Sequence, residues 1–314
     1  MSVFSPDPEP AAAARALAGE PLRSIADALR ARRPELAGDP SAFLAACMAE
    51  IDVALSRQLS LILHHPEFRA LEASWRALHG LVQACTPDEH LRIRVLSIAK
   101  PELSRDLRRA GPQVESSRIF KTLVADVLGT LEAVPFSLLL VDAEFGGAPD
   151  DQECLRGLAR VLDVAHLPMI AAAARSLAGW EEDRPGDPAT RPPDPGAGSA
   201  PPVFLPWRSF RRSEDARLVA LTLPRRLGRR PWGEDFPLAE FDFRETVDGP
   251  QDHLWISSAH ALAECIARSV RSDGWGVRCR GPESDAGRVT GLIAQSNRPD
   301  GSVVRAGPTD RPIS

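Results

Sequence analysis

The stretch PFSLLLVDAEF, from Pro135 to Phe145, decides the fold class. Its continuous apolar run is typical of a strand that is buried on both faces of a parallel sheet. A helical pattern follows across Gln152 to Ala165, and a second apolar run, LPMIAAA, extends from Leu167 to Ala173. A strand, a helix and a strand in this order predict a parallel sheet that is covered by helices.

The flanking segments extend this pattern in both directions. LRIRVLSIA, from Leu91 to Ala99, alternates apolar and polar residues, as strands do. Helices are predicted at Glu102 to Arg109 and at Ser116 to Leu128. Further along the chain, the patterns predict a strand in DARLVALTL, a helix in HLWISSAHALAECIARSV and a strand in GWGVRCRG. The predicted fold class is therefore α/β, with a mixed sheet flanked by helices.

An N-terminal pair of helices is indicated by apolar residues that recur at steps of three and four. They are Leu44, Met48, Ile51, Leu55, Leu59 and Ile62 in the first helix, and Phe68, Leu71, Trp75, Leu78 and Val82 in the second. Asp39 or Ser41 can cap the first helix, and Pro66 favours a break because proline disfavours helical geometry in the preceding residue. The pattern predicts a helical hairpin locked by Leu59, Ile62, Phe68, Leu71, Trp75 and Leu78.

The composition is that of an ordinary soluble protein. The chain has 314 residues, of which 43% are hydrophobic and 26% charged, and its net charge is −5. This acidic balance argues against a nucleic-acid partner. Five scattered cysteines without a C-x-x-C spacing favour a reducing cytoplasm. The sequence contains no signal-peptide pattern and no long apolar run, so we expect neither export nor membrane insertion.

Changes in composition divide the chain into five segments. Residues 1–38 are expected to form a flexible arm, and residues 39–180 to contain the helical hairpin and the first part of the α/β core. The Pro-rich residues 181–202 are expected to be a disordered insertion. Residues 203–284 supply the second part of the core, and residues 285–314 an irregular tail.

Histidines and glutamates cluster at the turn between the first two helices. They are His64, His65, Glu67 and Glu72. Adjacent histidines on a helix point about 100° apart, and the i, i+4 histidine pair of H-E-x-x-H is missing. The arrangement therefore favours capping and polar packing over a metal site.

Two other pairs of side chains could carry out chemistry. Asp142 and Glu144 follow a predicted strand, and ligands of α/β sheets bind beyond such strand ends, so a small-molecule enzyme is one alternative. No G-x-S-x-G, G-x-x-x-x-G-K-[ST] or G-x-G-x-x-G motif accompanies them, which favours structural contacts instead. His260 and Cys265 are five residues apart on one predicted helix and do not share a face, so Cys265 is expected to pack as a small apolar residue.

Arginine-rich runs occur in WRSFRRSEDAR, from Trp207 to Arg217, and in LPRRLGRRPWG, from Leu223 to Gly233. The interleaved aromatic residues could stack on single-stranded nucleic acid. A solvated face or a salt-bridged protein interface is favoured because the whole chain is acidic.

Four segments, taken in order, resemble the large subunit of the contractile sheath of type VI secretion systems, the TssC/VipB family. LSRQLSLILHHPEFRALEASWRALHGLV looks like the family signature L-x-x-Q-L-x-x-I-L-H-H-P-x-F-x-x-L-E-x-x-W-R-x-L. The resemblance continues in SRIFKTLVADVLGTLEAVPFSLLLVDAEF, FLPWRSFRRSEDARLVALTLPRRLGRRPWG and HLWISSAHALAECIARSVRSDGWGVRCRG. Together the four segments cover most of Leu55 to Gly281.

The resemblance implies a structural, non-enzymatic protein with no catalytic centre, cofactor or metal of its own. It implies pairing with a small sheath subunit of the TssB/VipA type and polymerisation with copies of itself around an inner tube protein. Contraction above a baseplate would then drive effector delivery from the cytoplasm. Because the family continues beyond the position of Gly281, this chain is expected to be C-terminally shortened or divergent. The alternative is a truncated paralogue that caps or regulates the sheath without polymerising.

Overall fold

The computed structural model describes residues 23–24, 26–85, 91–128, 134–178, 205–233, 241–249 and 252–276. The chain forms two compact units. The first comprises Met1–Arg69 and Pro231–Asp248, and the second comprises Ala70–Arg230 and Gly249–Ser314.

The first unit is built around a long helix, α1 (Pro40–Leu63). Of the two predicted caps it is Asp39 that caps this helix, because its Oδ1 accepts hydrogen bonds from the backbone N–H groups of Ser41 at 2.9 Å and Ala42 at 3.2 Å. Residues 26–32 are helical and Pro34–Gly38 forms a 3-10 turn. The segment expected to be a flexible arm therefore has regular structure from residue 26 onward.

The second helix, α2 (Pro66–Cys85), is separated by two residues from the end of α1 at Leu63. The break at His64 and His65 is confirmed. It follows from the restriction that proline places on the residue before it and from the suitability of proline for the first turn of a helix.

A parallel sheet forms the centre of the second unit. Its strands are β1 (Leu139–Phe145), β2 (Met169–Ala173) and β3 (Val219–Thr222), in the order β1-β2-β3. Helix α5 (Pro149–Ala165) connects the first two strands, so the predicted strand, helix and strand are confirmed. The register places Ile170 between Leu140 and Ala220.

Helices cover both faces of this sheet. Leu139 and Val141 pack against the larger core cluster, which contains the buried residues of α5. Leu140 packs instead against Ala263 and Ala267 of α7 (Ser258–Asp273). The middle strand β2 is buried along its whole length, as its apolar sequence requires.

Three shorter helices and a second pair of strands complete the described part of this unit. The helices are α3 (Lys100–Ala110), α4 (Arg118–Phe120, a π-helical turn Lys121–Ala125, and Asp126–Leu128) and α6 (Leu205–Arg211). The strands are β4 (Arg226–Arg229) and β5 (Leu254–Ile256), which pair antiparallel. Parallel and antiparallel pairing together confirm the predicted mixed α/β class.

Three local predictions need correction, and one of them extends beyond the described residues. Residues 91–99 form neither helix nor strand, because none of the described strands pairs with them; Leu91 and Ile93 pack beside Cys85. HLWISSAH is not helical at its start, where β5 lies, because Ser257 accepts a hydrogen bond from Ala259 N–H and so fixes the beginning of α7. In GWGVRCRG, residues 274–276 are not a strand, and the rest lies outside the described residues. So do the insertion at residues 181–202 and the tail at residues 285–314.

Candidate subunit-contact surface

The apolar stripe of α1 is exposed. We define the α1 seam as Leu44, Met48, Ile51, Leu55, Leu59 and Ile62. Five of these side chains are solvent-exposed in the chain: Leu44 by 63%, Met48 by 56%, Leu55 by 48%, Leu59 by 38% and Ile62 by 46%. An amphipathic helix normally turns such a stripe toward its own core, so α1 has the opposite orientation.

The polar side of α1 is the side that its own unit covers. Ser56 and Ser60 are only 8% and 4% exposed. The backbone N–H of Thr246 donates to Ser60 Oγ at 3.0 Å, and that of Arg244 approaches Ser56 Oγ at 3.5 Å. Residues 241–249 contain almost no regular structure, so their backbone N–H groups need acceptors, and the two serines supply them.

Helix α2 shows a similar inversion within the second unit. Its exposed side chains include Leu71 at 56% and Trp75 at 65%, whereas Ala77, Leu81 and Cys85 are buried. Leu81 and Cys85 pack with Ala263 and Ala267 of α7. The prediction that Leu59, Ile62, Phe68, Leu71 and Trp75 are buried in a hairpin lock is therefore wrong, and Leu78 is only half-buried. Helix α1 buries Ser56 and Ser60 instead, and helix α2 buries Ala77, Leu81 and Cys85.

The spacing of the α1 seam fits a partner helix. Met48, Ile51, Leu55 and Ile62 follow the steps of a heptad, with Gln58 at the remaining position. The seam extends for about 27 Å, since 18 residues separate its ends and each rises 1.5 Å. Asp52 flanks the seam and forms no ion pair with a described residue. This surface suits knobs-into-holes packing against another helix.

The cluster at the turn between α1 and α2 consists of polar contacts. His64 Nε2 lies 3.0 Å from Glu245 Oε1, whose carboxylate also accepts the backbone N–H of Trp232 at 2.8 Å. This bears out the expectation that His64 satisfies a neighbouring polar group. The side chains of His65 and Glu67 are exposed. Among the described residues, no three His, Cys, Asp or Glu side chains are grouped so that they could hold a metal ion.

Glu72 does not take part in the polar contacts of His64 at the turn, although the sequence groups the two residues. Its carboxylate accepts hydrogen bonds from Arg229 Nε and from Arg76 Nε, each at 2.7 Å. Burial raises the pKa of Glu72, but the hydrogen bonds from the two guanidinium groups outweigh that effect, so the pKa lies below its usual value. Glu72 is therefore held ionised in the second unit.

A second buried ion pair joins β4 to α7. Arg226 Nη2 donates to Glu264 Oε1 at 2.6 Å, and the two side chains are 11% and 5% exposed. A Cβ atom on Gly80 would lie 3.6 Å from that carboxylate oxygen, so α2 runs close beside the pair. His260 lies one helical turn before Glu264. Burial lowers its pKa, an effect that the negative charge of Asp142 partly offsets.

The arginine-rich runs supply these intramolecular ion pairs. Arg226 and Arg229 of the second run pair with Glu264 and Glu72, and Arg217 of the first run pairs with Asp163 at 2.9 Å. These three ion pairs lie within the chain, so a salt-bridged interface with another protein stays a prediction. The partners lie 38, 157 and 54 residues away, so no local spacing could have identified them.

Comparison with known proteins places this architecture in a family. Residues 45–313 match the VipB family, described as EvpB/VC_A0108, tail sheath N-terminal domain. The chain belongs to this tail-sheath family. It is also 36% identical over 301 residues to the type VI secretion system sheath protein TssC1 of Pseudomonas aeruginosa strain PAO1. That alignment includes 93% of this chain and 59% of the relative, so the chain spans about three fifths of the relative's length.

The resemblance inferred from the four motifs is confirmed by these matches. The tail-sheath family is a family of structural proteins. Asp142 and Glu144, the two residues of the enzymatic alternative, are both exposed. A bulge between Val141 and Glu144 interrupts the regular pairing of β1 with β2 at this point. Cys265 is 3% exposed and packs as a buried thiol, as expected. None of the described helices is both long and apolar enough to cross a bilayer.

Proposed function

We propose that this chain is a structural subunit of a type VI secretion contractile sheath. It pairs with a small sheath subunit of the TssB/VipA type and polymerises with copies of itself around an inner tube protein in the cytoplasm. Contraction of this polymer above a baseplate drives effector delivery. The proposal is supported by membership of the tail-sheath family and by the name of the TssC1 relative.

The exposed α1 seam is the observation that carries the subunit-contact part of this proposal. Covering a half-exposed leucine, isoleucine or methionine contributes about 1 kcal/mol, since full burial of such a side chain contributes about 1.5–3 kcal/mol. The five exposed seam residues together offer about 5 kcal/mol to a partner that covers them. A seam of this length and spacing is suited to one amphipathic helix.

Asp52 favours a different subunit over a second copy of α1. In an antiparallel pair of α1 helices, the two Asp52 carboxylates would lie near each other at the middle of the contact, where like charges repel. In a parallel pair, Asp52 would face the uncharged Cys47 of the other copy. A partner helix with lysine or arginine opposite Asp52 turns this charge into an attraction. We therefore assign the α1 seam to the small sheath subunit.

Co-expression with the cognate small sheath subunit tests the proposal. We expect a stable heterodimer in size-exclusion chromatography, and rings or tubules in negative-stain electron micrographs. Recovery of the two proteins as separate monomers, with no rings or tubules, would refute the assembly function.

A further inference from the structure

The second unit contains a cavity that is separate from the α1 seam. It has a volume of about 400 Å³ and lies among α3, α5 and α6. The residues that line it include Arg108, Arg156 and Arg160 and the apolar residues Leu107 and Pro206. We call it the arginine pocket. It is formed entirely by residues of the second unit and is independent of the α1 seam.

The arginine pocket has an excess of positive charge. Three arginines line it, and the only carboxylate among its lining residues is Glu153. Arg156 and Arg160 are four residues apart on α5, a spacing at which like charges on a helix repel. An anion placed between them would remove that repulsion.

The three guanidinium groups have donors to spare. Arg156 Nη2 donates to the carbonyl of Pro206 at 3.0 Å, which fixes the side chain and occupies one of its five N–H groups. Arg160 forms no hydrogen bond or ion pair with any described residue. Arg108 pairs with Asp150 at 3.3 Å, but these side chains are 44% and 81% exposed, so the pair is weak and exchangeable.

We infer that the arginine pocket binds an acidic peptide segment in which a carboxylate side chain stands beside an apolar one. The planar fork of arginine matches a carboxylate through two parallel hydrogen bonds. The volume is in the range of organic ligands, and an inorganic anion would leave the wall at Leu107 and Pro206 uncovered. The apolar neighbour in the peptide covers that wall.

The test uses the full chain and two synthetic hexapeptides in saturation-transfer difference NMR titrations. One peptide is Gly-Leu-Glu-Asp-Leu-Gly, and the other is its uncharged counterpart, Gly-Leu-Gln-Asn-Leu-Gly, both with blocked ends. We expect the acidic peptide to bind at least tenfold more tightly than its counterpart. Arg160→Gln should weaken its binding at least tenfold, which is the scale of a lost charge-assisted hydrogen bond.

Arg109→Gln is the matched control, because Arg109 is an exposed arginine next to Arg108 that does not line the pocket. It removes the same charge and should change the affinity less than twofold. Equal weakening by the two substitutions would overturn the inference, since it would show only general attraction to a basic surface. Equal binding of the two peptides would also overturn it. Inorganic phosphate that competes at the same concentration as the acidic peptide would indicate a small-anion site instead, and would likewise overturn it.

Discussion

Leu55→Asp tests whether the α1 seam is a contact surface. Leu55 is 48% exposed in the chain. Loss of its burial against a partner costs about 1 kcal/mol. An aspartate at this position must also lose water without gaining a hydrogen bond, which adds about 2 kcal/mol. The total of about 3 kcal/mol corresponds to a more than 100-fold weaker association.

Val53→Asp provides the matched control for this substitution. Val53 is 58% exposed on the same helix, but it does not belong to the α1 seam. Biolayer interferometry with immobilised small sheath subunit measures both variants, and circular dichroism checks that their melting temperatures match the wild type. We expect Val53→Asp to bind like the wild type. Equal affinities of the two variants, whether both weak or both strong, would refute the assignment of the seam.

Three further predictions concern the second unit. Arg229→Met leaves the Glu72 carboxylate with Arg76 alone, so we expect the free energy of unfolding, measured with urea, to fall by about 2 kcal/mol. The double variant Arg229→Met/Glu72→Met should restore most of this loss. A double variant that is destabilised as much as the single one would contradict this reasoning. Burial lowers the pKa of His260 below its ordinary value of 6.5. As the pH falls below 6.5, His260 therefore becomes protonated in the unfolded chain before it does so in the folded chain, and the free energy of unfolding should decrease. His260, which also faces Asp142, Arg226 and Glu264, is the source of that slope only if His260→Leu reduces it in thermal melts at pH 5 to 7.5. Gly228→Ala would bring a Cβ atom to 2.9 Å from Ile256 Cγ2, so it should lower the free energy of unfolding by about 1–3 kcal/mol in the same urea assay. Gly38→Ala is the control, because its Cβ atom would have no other atom within 4 Å, and it should lower the free energy of unfolding by less than about 0.5 kcal/mol.

The elements of the fold could be predicted because their signals are local. The apolar run at β1, the helical period of α5 and the break before Pro66 each depend on a few neighbouring residues, and each is found where the sequence places it. The prediction of a strand at residues 91–99 was wrong because strand formation also depends on residues far away in the sequence. Alternation shows that a segment can be extended, but a ladder also needs a partner strand, and no local pattern supplies that information.

The orientation of α1 could not be predicted in the same way. The heptad-like spacing identifies an apolar stripe, yet it does not say whether the same chain or another chain covers it. The decision depends on Ser56 and Ser60, which accept hydrogen bonds from residues 188 and 186 positions away. The partners of Arg226 and Arg229 are also remote in sequence, at 38 and 157 positions away. A helix that is amphipathic in the expected way can therefore present its apolar side outward when its serines satisfy a distant backbone segment.

The distribution of charge in the second unit suits a subunit that must stay folded while its contacts change. Breaking a buried ion pair such as Arg226–Glu264 leaves an uncompensated charge and costs about 3–5 kcal/mol, so this pair resists rearrangement. The exposed pairs Arg108–Asp150 and Arg217–Asp163 contribute about 0–1 kcal/mol each and can be exchanged for contacts with a neighbour. Salt screens the exposed pairs far more than the buried one. If the proposed sheath uses such exchanges, raising the salt concentration should change the extent of assembly, which sedimentation measures. The melting temperature of the unassembled chain should stay unchanged at the same salt concentrations. If assembly and folding are instead lost together, the buried ion pairs are the ones that break.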